Sequence, residues 1–365
     1  MFLNKEFKTK MSNKLYLSSS PHFSSGLKTQ NIMAAVIISL LPECIYGIYT
    51  FGLCAFITIF TAVVSCVLFE FIFQKVTKQK VVISNLSAVV TGLLLALVCP
   101  PTVPFWMVII GAAVAIIFAK GLFGGIGSNV FNPALSGRAF MFISFPAIMG
   151  ATWLMPNTVK GIEAYKVVDA ISSSTILPTL KNSADATIDF VQYFFGNRAG
   201  CIGETSIFLI LISFIFLLVT KVIDWRAPIS MILTVSICAF LAGFISNGNV
   251  EQGLIEVLEN LLTGGLVFGA TFMVTDYATT PITKPGRLIF GCCCGLITFL
   301  IRKFGGYPEG VMFSILIMNS VAPLLNNFTP RMYGYGKKGN QKADTKKINK
   351  EFDLKNSKNT ILEGK

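Results

Sequence analysis

Long apolar segments alternate with short polar connectors along most of this chain. A helix needs about 20 consecutive apolar residues to cross the hydrocarbon core of a bilayer. The pattern predicts ten spans, at residues 31–50, 52–73, 82–100, 103–120, 137–152, 205–222, 227–246, 258–277, 286–302 and 308–325. The 137–152 segment is short, and the 258–277 segment is expected to break near its end. The predicted fold class is therefore an all-α polytopic membrane protein.

The basic residues orient this predicted bundle, because cytoplasmic loops carry an excess of Lys and Arg. Lysines before the first span place the N-terminus in the cytoplasm, and further basic residues follow the second, fourth, sixth and eighth spans. The Lys-rich tail places the C-terminus there too. The opposite side holds six of the 30 basic residues: Lys160, Lys166, Lys181, Arg198, Arg302 and Lys303. The pair Arg302–Lys303 is the one local exception, whereas the loop at 247–260, with three Glu and no Lys or Arg, suits the outer face.

Five parts of the chain follow from the spans and the charges. They are a cytoplasmic N-terminal segment (1–30), a first five-helix half (31–152), an extracytoplasmic loop (153–204), a second five-helix half (205–325) and a basic cytoplasmic tail expected to be disordered (326–365). Short matches, such as Thr-Gly-Leu-Leu at 91–94 and Thr-Gly-Gly-Leu at 263–266, indicate an internal repeat. Since each half has an odd number of spans, the 5+5 repeat would be inverted.

Composition supports a membrane location and argues against nucleic acid as a partner. Apolar residues make up 53% of the 365 residues and charged residues 13%, against roughly 25% charged in soluble domains. The net charge of +12 is concentrated at the termini and in connectors, as a protein surrounded by lipid requires. Nine Cys without a CxxC pair, and one His, give no metal site made by this chain alone. Cys292–Cys294, between Gly291 and Gly295, indicate a small-residue face for close helix packing.

A glycine-rich stretch from Lys120 to Pro133 is the first candidate for a binding region. It contains Gly124, Gly125, Asn129 and Asn132. Glycine allows backbone N–H groups to approach a ligand closely, and unwound backbone at membrane depth persists only where protein buries it or it lines a cavity. One interpretation is a broken helix that helps to hold a cofactor or an ion. The other is a tight re-entrant turn that only packs, and the sequence does not separate the two.

Three carboxylates within apolar segments are further candidates, because intramembrane acids are costly and commonly functional. Asp276 lies at the inner end of the eighth span among Thr residues, where it either contacts an ion or caps a helix end. Glu43 and Glu70 lie in the first two spans and could belong to an ion path. Pro42, directly before Glu43, is expected to kink its helix and free a carbonyl.

A polar segment in the long extracytoplasmic loop has the layout of a flavin-attachment site. Asp169 is followed three positions later by Ser172 and three positions after that by Thr175. On this interpretation Thr175 carries FMN through a phosphoester bond. The alternative is an ordinary solvated Ser/Thr-rich loop.

Several motifs in order along the chain resemble RnfD, a membrane component of the Rnf ion-translocating electron-transport complex. They are GLFGGIGSNVFNPALSGR at 121–138, GETS at 203–206, DWR at 224–226, FMVTD at 272–276 and IRKFGGYPEG at 301–310. The resemblance runs from about residue 30 to 335, with its motifs in the order of the family. The related NqrB component of the sodium-translocating NADH:quinone reductase is the nearest alternative family. A stand-alone inverted-repeat solute channel, and a scaffold protein that has lost its flavin, stay open as further alternatives.

The resemblance implies one component of an ion-translocating oxidoreductase in the inner (cytoplasmic) membrane, not catalytically complete alone. It implies covalent FMN on Thr175 within the pattern Asp, two variable residues, Ser/Thr, Gly, Ala, Thr/Ser, in which Ser173 and Ser174 replace Gly and Ala here. It also implies a non-covalent riboflavin among the helices. The implied partners are the other Rnf components (RnfA, RnfB, RnfC, RnfE and RnfG) and a flavin transferase. Electrons would pass between ferredoxin and NAD, coupled to Na⁺ or H⁺ movement.

Overall fold

Every element in the described part of the computed structural model is helical. The structure describes residues 28–151, 153–154, 156, 190–196, 199–305 and 310–328. In chain order the elements of the first half are α1 (Thr29–Phe51), α2 (Leu53–Val76), a 3₁₀ turn (Ile83–Asn85), α3 (Ser87–Leu97), α4 (Phe105–Ala113) continuing as a π-helix (Val114–Gly121), α5 (Pro133–Ser144) and α6 (Pro146–Ala151). The remaining elements are α7 (Phe190–Phe195), a 3₁₀ turn (Ile202–Glu204), α8 (Ile207–Val219), α9 (Arg226–Asn247), α10 (Val250–Leu262), α11 (Leu266–Phe268) continuing as a π-helix (Gly269–Met273), α12 (Lys284–Phe304) and α13 (Val311–Phe328).

The helices are those of a multi-pass membrane protein. Within the described residues, α1, α2 and α9 are each long and apolar enough to cross a bilayer, and the bent pair formed by α10 and residues 266–273 is a fourth span if counted as one. Shorter apolar helices occupy 87–97, 105–121, 207–219 and 311–326. Large apolar side chains such as Ile45, Phe60 and Ile237 are exposed, as lipid contact requires. The count of ten spans stays a prediction.

The two halves of the chain pack as two helical groups that share a seam. In the first group α2 packs against α3 and α4, and in the second α9 packs against α10 and α12. Contacts of α1 with α8 and of α5 with α13 join the groups. Two short helices near this seam, α3 and α11, both begin directly after a left-handed residue: Leu86 (φ 60°) before α3 and Gly265 (φ 63°) before α11.

Small residues bring α12 and α9 close together, as the sequence around the three cysteines indicates. A Cβ atom built on Gly295 would lie 2.6 Å from the Met231 carbonyl oxygen, and one on Gly291 would lie against Ala227 and Ser230. Only glycine fits at that separation, because real Cβ contacts are longer. Cys294 lies on the same face and is fully buried.

The predicted loop at 247–260 is helical over most of its length, and the chain has a further bend that the pattern does not predict. Residues 250–262 form α10, an amphipathic helix, and the chain turns by 61° between α10 and residues 266–273. The break therefore falls near the start of the predicted span, at the Gly264–Gly265 pair, where positive φ values of 66° and 63° suit glycine. Near the predicted end of the span the chain forms a π-helix, Gly269–Met273.

Arg302 holds this break together and explains why a basic pair lies on the predicted outer side. Its guanidinium donates from Nη1 to the Asn260 carbonyl oxygen at 2.7 Å, and from Nη2 to the carbonyl oxygens of Thr263 at 3.1 Å and Gly264 at 3.0 Å. These carbonyls belong to the C-terminal end of α10 and the turn after it, where the helix dipole favours a cation. Arg302 is 3% exposed, so its role is structural. Its charge therefore gives no information about which side of the membrane this part of the chain faces.

Candidate functional site

A cavity of about 150 Å³ lies where the predicted cytoplasmic ends of several helices meet. The start of α1, the start of α3, the glycine-rich stretch, the end of α8 and the residues after the second π-helix surround it. Its wall is mostly apolar. The polar side chains on it are Ser87, Thr91, Lys120, Asn129, Asn132, Thr275 and Asp276. We call this space the inner cavity.

The glycine-rich stretch forms an irregular turn that closes one side of the inner cavity. Gly124, Gly125 and Gly127 have φ values of 108°, 90° and 83°. A Cβ atom at Gly125 or Gly127 would meet no neighbour, so backbone conformation rather than space requires glycine there. Gly127 lines the inner cavity, whereas Gly124 and Gly125 shape the turn behind it.

Asn132 joins this turn to the second half of the molecule. Its Oδ1 accepts from the backbone N–H groups of Ala134 at 3.1 Å and Leu135 at 3.3 Å, so it caps α5, whose first residue is Pro133. Its Nδ2 donates to the Met273 carbonyl oxygen at 3.5 Å. This last contact ties the start of α5 to the second π-helix.

Asp276 lies on the opposite wall, in the turn that follows the second π-helix. One carboxylate oxygen accepts from Thr279 Oγ1 at 3.2 Å and the other from the Ala278 N–H at 3.4 Å. The Asn129 side chain is also within hydrogen-bonding reach of Asp276. The structure therefore brings together the predicted residues Asn129, Asn132 and Asp276. Asp276 both caps a turn and faces the cavity, so the two interpretations of this residue coexist.

A buried ion pair borders the inner cavity. Lys120, on the first π-helix, donates from Nζ to Glu70 Oε2 at 2.8 Å and to Ser87 Oγ at 2.7 Å. Lys120 and Glu70 are 4% and 5% exposed. Charge counting treats Lys120 as a surface cation, but the structure makes it the partner of the candidate Glu70. In the sequence, Lys120 and Glu70 each interrupt an apolar run. Because buried charges are normally paired, this pattern could have indicated that the two residues meet.

Glu43 does not reach the inner cavity. It lies farther along α1, where it is 2% exposed and faces α8. The attachment motif Asp169–Thr175 lies outside the described residues.

A charged cluster at the same end of the molecule connects α8, α9 and α12. Asp224 accepts from Arg287 Nη1 at 2.7 Å and from Arg226 Nη1 at 2.8 Å. Partial burial alone would raise the pKa of Asp224, but the hydrogen bonds from Arg287 and Arg226 and the charge of Arg226 outweigh it and hold the pKa below its ordinary value.

This shift predicts a pH-dependent contribution to stability. A depressed pKa means that Asp224 stabilises the fold above the ordinary carboxyl pKa, and that this stability is lost as the pH falls through the lowered value. Asp224→Asn should therefore lower the unfolding temperature at neutral pH, with the difference from the unmodified protein vanishing in acid. Thermal unfolding in detergent across a pH series measures it. A difference that stays constant with pH would contradict the assignment.

Comparison with known proteins shows that the chain is similar to components of ion-translocating oxidoreductase complexes. The chain is 39% identical over 328 residues to the D component of the Na(+)-translocating ferredoxin:NAD(+) oxidoreductase complex of Acetobacterium woodii, covering 88% of this chain and 96% of that protein. It is 38% identical to the D component of the proton-translocating ferredoxin:NAD(+) oxidoreductase complex of Clostridium ljungdahlii, covering 87% and 95%. It is 36% identical to the D component of the ion-translocating oxidoreductase complex of Escherichia coli, covering 88% and 99%. The profile of the NQR2, RnfD, RnfE family matches residues 16–334, and the chain belongs to this family, with RnfD as the member it resembles.

Proposed function

We propose that this chain is the membrane flavoprotein component of a complex that couples electron transfer between ferredoxin and NAD to the translocation of Na⁺ or H⁺. The observation that carries the proposal is similarity, over nearly the whole length, to components of ion-translocating ferredoxin:NAD(+) oxidoreductases. Its partners are the other Rnf components (RnfA, RnfB, RnfC, RnfE and RnfG) in the cytoplasmic membrane. The relatives at 39% and 38% identity belong to complexes named for different ions, so similarity does not select between Na⁺ and H⁺.

The proposed cofactor is FMN, attached to Thr175 by a flavin transferase. A phosphoester tether leaves the isoalloxazine ring able to exchange electrons while its location is fixed. Asp169, Ser172 and the small residues Ser173 and Ser174 would form the segment that the transferase recognises. The charge pattern supports an outer location for this loop, opposite the inner cavity.

The inner cavity has a volume of about 150 Å³, and Asn129, Asn132 and Asp276 lie on its wall. These polar groups suit water and a small cation. The non-covalent riboflavin implied by the resemblance stays a prediction. We therefore assign to Asp276, Asn129 and Asn132 a role in admitting the translocated ion from the cytoplasmic side, with Lys120 and Glu70 as the charged pair behind them.

The shape of the helices supports the proposed inverted 5+5 repeat. Each half contains a short helix that starts after a left-handed residue, and each contains one π-helix at the inner cavity. Transporters built from inverted repeats place ion sites at such broken helices. A stand-alone channel would share this shape, so the flavin is the feature that distinguishes the two functions.

Changing Thr175 to Ala should abolish covalent flavin, because the phosphoester oxygen is removed. The measurement is flavin fluorescence of the denatured chain on a gel, after expression with the flavin transferase, together with the mass of the peptide from the 153–204 loop. Ser174→Ala is the matched control and should keep the full signal. A flavin band of unchanged intensity in Thr175→Ala would disprove attachment at Thr175, and an unmodified peptide in the starting protein would disprove the flavoprotein function.

A further inference from the structure

Glu43 is the most deeply buried carboxyl group without a hydrogen-bond partner in the part of the chain that the structure describes. It is 2% exposed, and neither of its carboxyl oxygens has a partner among the described residues. An ionised carboxylate in that position would carry the full cost of removing a charge from water. A buried acid that persists must therefore be neutralised, either by a bound cation or by a proton.

The surroundings of Glu43 favour the proton. Glu43 lines neither the inner cavity nor a smaller cavity beside Asp224. Small cations need several oxygen ligands, whereas a proton needs one. The helices α8 and α3 carry no acidic or basic residue. On α1 itself the other titratable groups are Cys44, Tyr46 and Tyr49. On the elements around it they are Cys54, Cys66, Lys75 and Glu70, which is bound to Lys120, on α2, and Glu204, which contacts Gly265.

The neighbouring hydroxyl group also suits a protonated Glu43. Ser213 of α8 lies near the Glu43 carboxyl group without forming a hydrogen bond to it, and its Oγ donates its one hydrogen to the Ser39 carbonyl oxygen at 2.7 Å. Toward Glu43 this oxygen is therefore left with its acceptor lone pairs. Only the protonated form of Glu43 has a hydrogen to offer them.

We propose that Glu43 is a proton-binding site inside the membrane domain and is a neutral carboxylic acid in the resting protein. The proton is held in an O–H bond to one Glu43 oxygen, and water is its source and its acceptor when it exchanges. The proposal extends the ion-translocating function proposed above, but the presence of the proton is a property of the resting protein and does not depend on it.

Infrared spectroscopy of the purified complex tests this site. We expect the C=O stretching band of a protonated carboxylic acid at neutral pH, shifted after transfer to D₂O and lost in Glu43→Gln, which keeps the shape of the side chain. Glu43→Asp should retain a band. Glu251→Gln is the control and should leave the band unchanged, because Glu251 is exposed on α10.

Three results would overturn the proposal. A band that survives in Glu43→Gln, or no band in the unmodified complex, would show that Glu43 binds no proton. Loss of the band when NaCl replaces choline chloride at constant ionic strength would show a Na⁺ site instead. Failure of ferredoxin:NAD electron transfer, assayed separately, would refute the proposed function and leave the infrared result standing.

Discussion

Replacing Lys120 by methionine should destabilise the protein by about 3–5 kcal/mol, the range for removing one partner of a buried ion pair. The substitution keeps the length and apolar character of the side-chain stem but removes the ammonium group bound to Glu70 and Ser87. Glu70, at 5% exposure, would be left as an uncompensated buried charge next to the inner cavity. Thermal or denaturant unfolding of the chain in detergent measures the loss.

A double variant separates the lost pair from a general packing effect. Lys120→Met combined with Glu70→Gln removes both charges, and should recover most of the stability because the remaining groups are neutral. Lys75→Met is the matched control, since Lys75 is exposed near the end of α2 and should change stability by less than about 1 kcal/mol. A double variant as unstable as Lys120→Met alone would show that the pair is not the cause.

The second large effect is expected at Arg302. Arg302→Met should cost about 3 kcal/mol or more, because charge-assisted hydrogen bonds contribute about 1.5–3 kcal/mol each and three carbonyl oxygens at the break would lose a donor. The turn between α10 and α11 would relax, and the second π-helix with Asp276 beyond it would lose its fixed position. We therefore expect the folded fraction of the Arg302→Met protein to transport ions more slowly than the unmodified protein.

The adjacent residue provides the control for Arg302. Lys303 donates to Glu256 at 2.8 Å from a side chain that is 41% exposed, so Lys303→Met should change stability by less than about 1 kcal/mol. Arg302→Lys keeps the charge but lacks the planar guanidinium group that donates to several carbonyl groups at once. Its loss of stability should therefore lie between those of Lys303→Met and Arg302→Met. Equal effects of Arg302→Met and Lys303→Met would rule out the role assigned to Arg302.

The hydropathy pattern was sufficient to locate the long helices. The predicted spans 31–50, 52–73, 227–246 and 286–302 correspond to α1, α2, α9 and α12 within a few residues. Gly52, with φ 69°, lets α1 turn directly into α2. In these segments lipid contact and helix formation require the same apolar residues. The order of apolar and polar residues along the chain is therefore enough to locate the helices.

Breaks and pairings were harder, because they depend on residues that are distant in sequence. The bend at Gly264–Gly265 is held by Arg302, about 38 positions later, and an apolar helix has the same hydropathy whether or not it bends. The acidic residues of α10 suggested a solvated loop, although spaced glutamates also suit the polar face of an amphipathic helix. Lys120 and Glu70 are 50 positions apart, so only the packing of the first π-helix against α2 shows that they meet.

The sequence predicted which polar residues belong to candidate sites better than it predicted which of them lie together in the fold. Asn129, Asn132 and Asp276 were selected by residue type and do meet at one cavity. Glu43 was placed with them, but α1 carries it away from the cavity toward Ser213. Helical periodicity alone gives the face of α1 on which Glu43 lies. It does not give the identity of the helix that packs on that face.

The two π-helices have a mechanical consequence for the residues they carry. A π-helix closes its hydrogen bonds five residues apart instead of four, so each such turn holds one residue more than an α-helical turn. If that surplus residue is passed along the helix, every side chain it passes rotates by about 100° about the axis. Lys120 is the seventh of eight residues in Val114–Gly121, so a shift of this kind would swing its ammonium group off Glu70 while both ends of the helix stay in place. Deleting a single residue from that segment would lock the rotated arrangement permanently. The exact number of residues in the segment therefore matters as much for the position of Lys120 as the side chains do.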